Sequence, residues 1–368
     1  LGSQLMSTAT ATATRSGVNN FSNGRLPRGT SWLLLAGSLL VMGLVFFLLN
    51  IDQPVANYNI VAAVFLGAVL YAILIFVVAS IVEGRRNATD RFITAVVSAA
   101  FTVALLPLIS LLFTVLVNGL ARFDLDFFTQ SMRNVIGDGG GALHAIAGTL
   151  MITLTATIIS VPIGLMTSIY LVEYGNSGKL ARAITFFVDV MTGIPSIVAG
   201  LFAYAVFVIF FGAGYSSGFE GAIALSVLMI PVVVRSSEEM LRLVPNELRE
   251  ASFALGVPKW LTIVKVVLPT SIAGITTGVM LAIARVIGET APLLLTAGYT
   301  QSMNWNIWDG NMMTLPVFVY NQYANQGTNP DAAISRAWAG ALTLILIVMV
   351  LNLAARFVAK FFAPKTGR

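Results

Sequence analysis

"EASFALGVPKWLTIVKVVLP", residues 250–269, decides how the rest of the chain is read. The stretch is bordered by long apolar runs, and its own pattern is that of a helix–turn–helix lying outside a bilayer. Pro245 opens the first helix, because a first-turn proline gives up an amide that has no intrahelical acceptor in any case. Gly256 ends that helix by taking the left-handed conformation, and Pro258 starts a second, short one. Ala251 and Ser252 are small enough for another protein's surface to approach the backbone closely, while Leu255, Val257, Trp260 and Leu261 supply apolar anchors near the turn. Composition alone also allows a plain amphipathic helix resting among lipid headgroups.

On both sides of this segment the chain is dominated by apolar runs. Hydrophobic residues make up 57% of the 368 and charged ones only 10%, which defines an all-α polytopic membrane protein. Runs of about 18 or more apolar residues cross a ~30 Å hydrocarbon core as helix. Eight such spans are expected, at about 32–49, 60–82, 92–118, 147–172, 184–211, 221–234, 270–297 and 338–359. The sixth is the shortest and carries Pro231. None reads as a cleaved signal peptide, because the first run lacks a small-residue cleavage site and a second follows at once. The opening LGSQL before Met6 is expected to be a vector-derived scar, and Ser7 to Gly29 a flexible tail rich in Thr, Ala, Ser, Asn and Gly.

Alternating these spans puts 17 of the 21 lysines and arginines on one side, three on the other and Arg285 within a span. By the positive-inside rule the crowded side is cytoplasmic, which places both termini inside. External segments then fall at 119–146, 212–220 and 299–337, and 235–269 is the longest internal one. The net charge of +5 follows from this asymmetry and implies no nucleic-acid partner. Without cysteine, thiol catalysis, disulfides and thiolate metal sites are excluded, and a single histidine speaks against a His-based metal site. No catalytic residues are expected. The nearest approach to a nucleotide-binding G-x-x-x-x-G-K-[ST] motif is Gly175-Asn-Ser-Gly178-Lys179-Leu180, with the wrong spacing and no hydroxyl after the lysine.

The seventh span raises a separate question, because "ARVIGETAP", residues 284–292, puts Arg285 and Glu289 inside it. At ~100° per residue, Gly274, Gly278, Ala282, Arg285 and Glu289 share one face of a helix about 80° wide. Small residues on such a face let a neighbouring helix approach or leave room for a cavity. At ~1.5 Å per residue Arg285 lies about 21 Å from Ser271, too deep to snorkel easily to the cytoplasmic surface. Pro292 should kink or open the helix just beyond the pair. Either the two charges form an i,i+4 pair that locks helices or subunits together, or they line a path.

Four stretches carry a family resemblance. The pattern Glu250-Ala251-Ser252, three residues, Gly256, nine residues, Val266, one residue, Leu268-Pro269 resembles the EAA loop of ABC-importer permeases, with Ser for the second Ala and Val for the usual Ile. "LVPNELREASFALGVPKW" (243–260) and "GITTGVMLAIARVIGETAPLLLTAG" (274–298) resemble the A-type, PstA-like permease subunits of the Pst high-affinity phosphate importers. "TGIPSIVAGLF" (192–202) and "GGGALHAIAGTL" (139–150) are of the kind this family carries.

The resemblance covers roughly 92–362 and implies a six-helix type I ABC-importer permease core, to which the first two spans are an addition. Its domain plan is a scar and cytoplasmic tail over 1–30, two additional transmembrane helices over 31–86, the permease core over 87–362 with a coupling loop at 240–269, and a cytoplasmic tail at 363–368. It implies alternating access in the bacterial cytoplasmic membrane, with Glu250, Ala251, Ser252, Gly256, Val257 and Pro258 seated in a cleft of a PstB-like ATPase dimer. ATP and magnesium would be bound by that partner and not by this chain. The other implied partners are a second, PstC-like permease, an external PstS-like phosphate-binding protein, phosphate itself and membrane lipid.

Under this resemblance Arg285 presents its guanidinium fork to phosphate oxygens, and Glu289 holds the fork or accepts a phosphate proton. Pro195, with Thr192 and Ser196, kinks the fifth span around the cavity, and Pro292 does so in the seventh. Asp189 is expected as an interfacial acid or as a residue lining the path, His144 as a solvated residue at the outer mouth or as a gate there, and Glu238 and Glu239 as solvated or bonded to loop bases. Trp305, Trp308 and Tyr320 read as an interfacial aromatic belt or as a surface for an external protein. Other readings are a permease of this architecture for another oxyanion or solute, an ion-coupled secondary transporter with Glu289 as carrier, and a membrane sensor that transports nothing.

Overall fold

A computed structural model describes residues 26–27, 29–49, 59–175 and 178–362, and the proposed scar, most of the N-terminal tail and the tail at 363–368 lie outside these. The described residues are helical and contain no strand, only an isolated bridge between Ser217 and Gly310. Two compact units divide the chain, Leu1–Leu111 and Leu112–Arg368.

The first unit holds α1 (Thr30–Leu49), α2 (Ile60–Val82) and most of α3 (Arg85–Leu120). Gly67 lets α1 and α2 approach, since a Cβ there would sit 2.8 Å from Leu39 Cδ2. Glu83, buried at the end of α2, accepts hydrogen bonds from Arg91 Nε (2.5 Å) and Nη2 (2.8 Å) and from the Leu26 amide (2.7 Å). That bidentate pair fixes the tight turn into α3.

The second unit continues with α4 (Leu125–Thr129), α5 (Leu143–Ile169), which runs into a π-helical turn at Tyr170–Tyr174, then α6 (Lys179–Thr192), α7 (Ser196–Phe211) and α8 (Gly218–Arg242). After these come α9 (Asn246–Ala254), α10 (Lys259–Thr262), a second π-helical turn at Ile263–Val267, α11 (Leu268–Val286), α12 (Ala291–Thr296), α13 (Leu315–Ala324) and α14 (Pro330–Phe362). Helix α8 is the axis of this unit: two-thirds of its apolar window is buried (67%), against 28–39% for the other spans here. Leu225, Met229 and Val233 of α8 pack with Ile152 and Ala156 of α5, Ala282 and Val286 of α11, and Leu315 and Phe318 of α13. Gly164 lets α5 lie close against α8, because a Cβ there would stand 2.6 Å from Val233 Cγ1.

Among the described residues seven helices are long and apolar enough to cross a membrane, and the α6–α7 pair raises the number to eight if it counts as one span. All eight expected spans correspond to these, with three changes of form. The sixth is longer than its apolar run, at 25 residues with Pro231 inside, because α8 is surrounded by protein and can carry Ser226, Ser237 and Glu238 without exposing them to lipid. The fifth is no kinked rod but two helices bent by 111° at the break before Ser196. The seventh begins earlier, as a continuous 28-residue run from Lys259, and stops at Val286.

Candidate functional site

The segment between α8 and α11 folds as its sequence predicts. Pro245 and Pro258 are the caps of α9 and α10, and Gly256 takes φ +74°. The Gly256 amide donates to Phe253 O (2.9 Å) and the Val257 amide to Ser252 O (3.2 Å), the paired bonds of a Schellman stop. Ser252 is buried, so of the two small residues expected to face outward only Ala251 does so. The Ser252 hydroxyl lies 2.8 Å from Thr262 Oγ1 and ties α9 to α10. Glu250, Gly256 and Pro258 are exposed and Val257 half-buried. Leu255 (84% exposed) and Trp260 (61%) form an apolar tip that none of the described residues covers.

This tip is fastened to three spans. Arg249 Nη2 donates to Glu173 Oε1 (2.9 Å) at the end of the α5 π turn and to Leu241 O (3.0 Å) of α8, and Nη1 donates to Val244 O (2.6 Å). Both charges of the Arg249–Glu173 pair are nearly dry, at 12% and 6% exposure. Lys259 donates to Glu173 O and lies over the Tyr174 ring at 4.8 Å. On α8, Glu238 accepts from Arg235 (2.8 Å) and Arg242 (2.7 Å), and Arg235 also pairs with Asp189 of α6. Asp189 and Glu238 are therefore members of one ionic network, Glu238 within it buried, while Glu239 is exposed. A lone acid at the end of an apolar run, as Glu173 is, was the only sequence signal for this anchor.

Arg285 occupies the last turn of α11 and Glu289 falls in the break before α12, so one helical face does not hold both. Pro292 explains the break, since it cannot donate to the Gly288 carbonyl and its ring crowds that turn. The chain leaves the helix at Val286 and restarts with Pro292 near the head of α12. Both prolines expected to kink a span thus begin a new helix instead, Pro195 at α7 and Pro292 at α12. The two restarts meet, because a Cβ on Gly200 of α7 would lie 2.6 Å from Pro292 Cα.

The small-residue face of α11 is closed by α8. A Cβ at Gly274 would meet Met240 Sδ at 2.2 Å and one at Gly278 would meet Ser236 Oγ at 2.4 Å. Arg285 is exposed and Glu289 half-buried. No ion pair joins them, and neither side chain has a hydrogen-bond or ionic partner among the described residues. A guanidinium at membrane depth without an internal partner must meet water, another subunit or an anion.

His144 departs from expectation. It is buried, edge-on to Phe318 at 5.8 Å, with both ring nitrogens unpartnered in the structure. It heads α5, where the 312–318 segment packs across it: Thr149 Oγ1 accepts from the Leu315 amide (2.7 Å), and Gly148 makes room for Met313 O. Glu220, also buried and without a side-chain partner, was not anticipated at all. Trp305, Trp308 and Tyr320 are exposed at 69%, 61% and 52%, as an interfacial role requires.

A helical membrane protein with broken spans around an unpaired arginine, and a rigid helix–turn–helix at one end, belongs to the class of membrane permeases. The family model for binding-protein-dependent transport system inner membrane components matches residues 160–368. The phosphate transport system permease protein PstA 1 of Mycobacterium tuberculosis is 48% identical over 288 residues, 77% of this chain and 91% of that protein. PstA of Yersinia pestis is 39% identical over 288 residues, covering 77% and 93%. A crystal structure of a bacterial alginate ABC transporter in complex with an alginate pentasaccharide-bound periplasmic protein aligns with TM-score 0.54 at 13% identity, over 76% of this chain and 97% of that one, which speaks to the fold alone. The chain belongs to the binding-protein-dependent transport permeases and, among them, to the PstA phosphate-transport permease family.

Proposed function

We propose that the chain is the transmembrane permease subunit of an ATP-driven inorganic phosphate importer, moving phosphate by alternating access coupled to a separate ATPase. The observation that carries this reading is the α9–α10 segment: an apolar tip with no cover of its own, held by Arg249 to α5 and α8 and continuous with α11. Such a unit transmits a push at its tip into three spans at once. The tip, with Glu250, Ala251, Gly256, Val257 and Pro258 around it and Ser252 buried behind as the tie to α10, docks in a cleft of a cytoplasmic PstB-like ATPase dimer, which binds ATP and magnesium. Both termini are cytoplasmic, in keeping with the positive-inside distribution. A PstC-like second permease completes the pore in the bacterial cytoplasmic membrane, and a PstS-like protein delivers phosphate from outside.

Arg285 serves the path. Its guanidinium is free on the surface of this chain, where a planar fork matches the oxygens of phosphate, and Glu289 across the break restrains it or takes a phosphate proton. The breaks at Pro195 and Pro292, packed together through Gly200, supply non-helical backbone of the kind tolerated at membrane depth only beside protein or a water-filled cavity. Arg285→Ala is expected to abolish phosphate uptake by the reconstituted complex while assembly and ATP hydrolysis persist. Loss of assembly instead would assign Arg285 to an inter-subunit lock.

A further inference from the structure

At the end of the second unit opposite α9–α10, a cavity of about 460 Å³ opens between the 132–137 stretch, Tyr299 and Gln301, and the 321–329 connection from α13 to α14. Its lining is rich in side-chain amides, among them Gln301, Asn321, Asn325 and Gln326, each of which can donate as well as accept. One wall is Arg336 of α14, only 5% exposed. Its Nε donates to Gln322 Oε1 (2.9 Å), and Nη1 donates to Gly137 O (2.9 Å) and Gly139 O (3.1 Å). All three acceptors are neutral, and Nη2 has no acceptor among the described residues. Arg122 pairs with Asp124 and donates to Gly140 O. Asp138, beside the lining, accepts from the neutral Asn329 Nδ2 (2.8 Å), keeps its charge and acts on Arg336 at longer range without forming an ion pair with it.

A buried guanidinium whose direct acceptors are all neutral, with one terminal nitrogen unpaired and a carboxylate acting on it only at longer range, gains from negative charge brought into contact. The hollow is wide and open to the outside, with room for an oxyanion that keeps much of its hydration shell. We propose that this cavity is an entry site for a hydrated oxyanion, inorganic phosphate on the transport reading above, held by Arg336 and the amide rim before it reaches Arg285. A loose site of this kind raises the local anion concentration at the pore mouth without trapping the ion.

The chain has no cysteine, so Asn325→Cys places a unique thiol on the rim. In the assembled complex, with each rate divided by that reagent's rate toward a small free thiol, its modification by a sulfonate-bearing methanethiosulfonate is expected to be about tenfold faster than by a trimethylammonium-bearing one, the lower end of the gain from a charged cleft. The readout is the mass of this chain. Millimolar phosphate should slow the anionic reagent. Arg336→Gln should remove both effects, whereas Arg336→Lys, which keeps the charge and serves as the folding control, should retain the preference. Equal rates for the two reagents, or an undiminished preference in Arg336→Gln, would overturn the proposal. Protection by the external binding protein but not by phosphate would also overturn it, assigning the cavity to a carboxylate of that protein. Phosphate uptake measured on the same preparation separates the two claims: uptake without phosphate protection sinks the entry site alone, and absence of uptake sinks the transport reading.

Discussion

Arg249 ties separate elements together, since its one guanidinium reaches a carboxylate at the end of α5 and two carbonyls around the end of α8. Breaking a buried ion pair from one side costs about 3–5 kcal/mol, because the remaining charge is left unpaired. Glu173→Ala should therefore loosen α9–α10, read as faster hydrogen exchange of amides 246–262 and a lowered melting temperature of the complex. Uptake should fall further than ATP hydrolysis, because the tip still docks but its movement is no longer passed to α5. Unchanged exchange would mean that the π turn and Lys259 alone hold the segment. Beyond the lone acid at the end of an apolar run, the pairing was not legible in the sequence: Glu173 and Arg249 are 76 positions apart, and only the packing of α5 beside α8 brings them together.

Helix breaks at Thr192–Ser196 and Val286–Ala291 define the middle of the second unit. Their positions were legible from Pro195 and Pro292, but their size was not, because a proline limits the backbone locally while the 111° turn is set by what each half packs against. α7 packs on α12 through Gly200, and Gly200→Ala is expected to destabilise the unit by about 1–3 kcal/mol, since the clash is with Pro292 backbone that cannot rotate away. A lowered melting temperature with diminished phosphate uptake checks it. An unaffected melt would show that α12 shifts freely. The same locality explains the misreading of Arg285 and Glu289, whose shared face presumed a helix that Pro292 ends early. The α9–α10 segment was legible almost entirely because prolines, a left-handed glycine and their spacing fix it without help from the rest of the fold.

Over the whole molecule, apolar runs foretold the number of spans, and burial then sorted them in a way that composition could not. Helix α8 has the lowest mean hydropathy of the candidate spans and the most buried window, because a helix enclosed by protein has no lipid to satisfy. His144, Glu220 and Arg336 escaped for a related reason: whether a polar side chain near a helix end faces water or protein depends on the 299–329 connection folding back over it. The tip of α9–α10 and Arg285 are both exposed, and on the proposed function they meet other subunits and an anion. The most direct test of the account is uptake of labelled inorganic phosphate into proteoliposomes holding the complete complex and the external binding protein. The account predicts uptake that requires ATP hydrolysis, survives collapse of the proton gradient and is lost with Arg285→Ala. Uptake that instead follows the proton gradient and ignores ATP would contradict it.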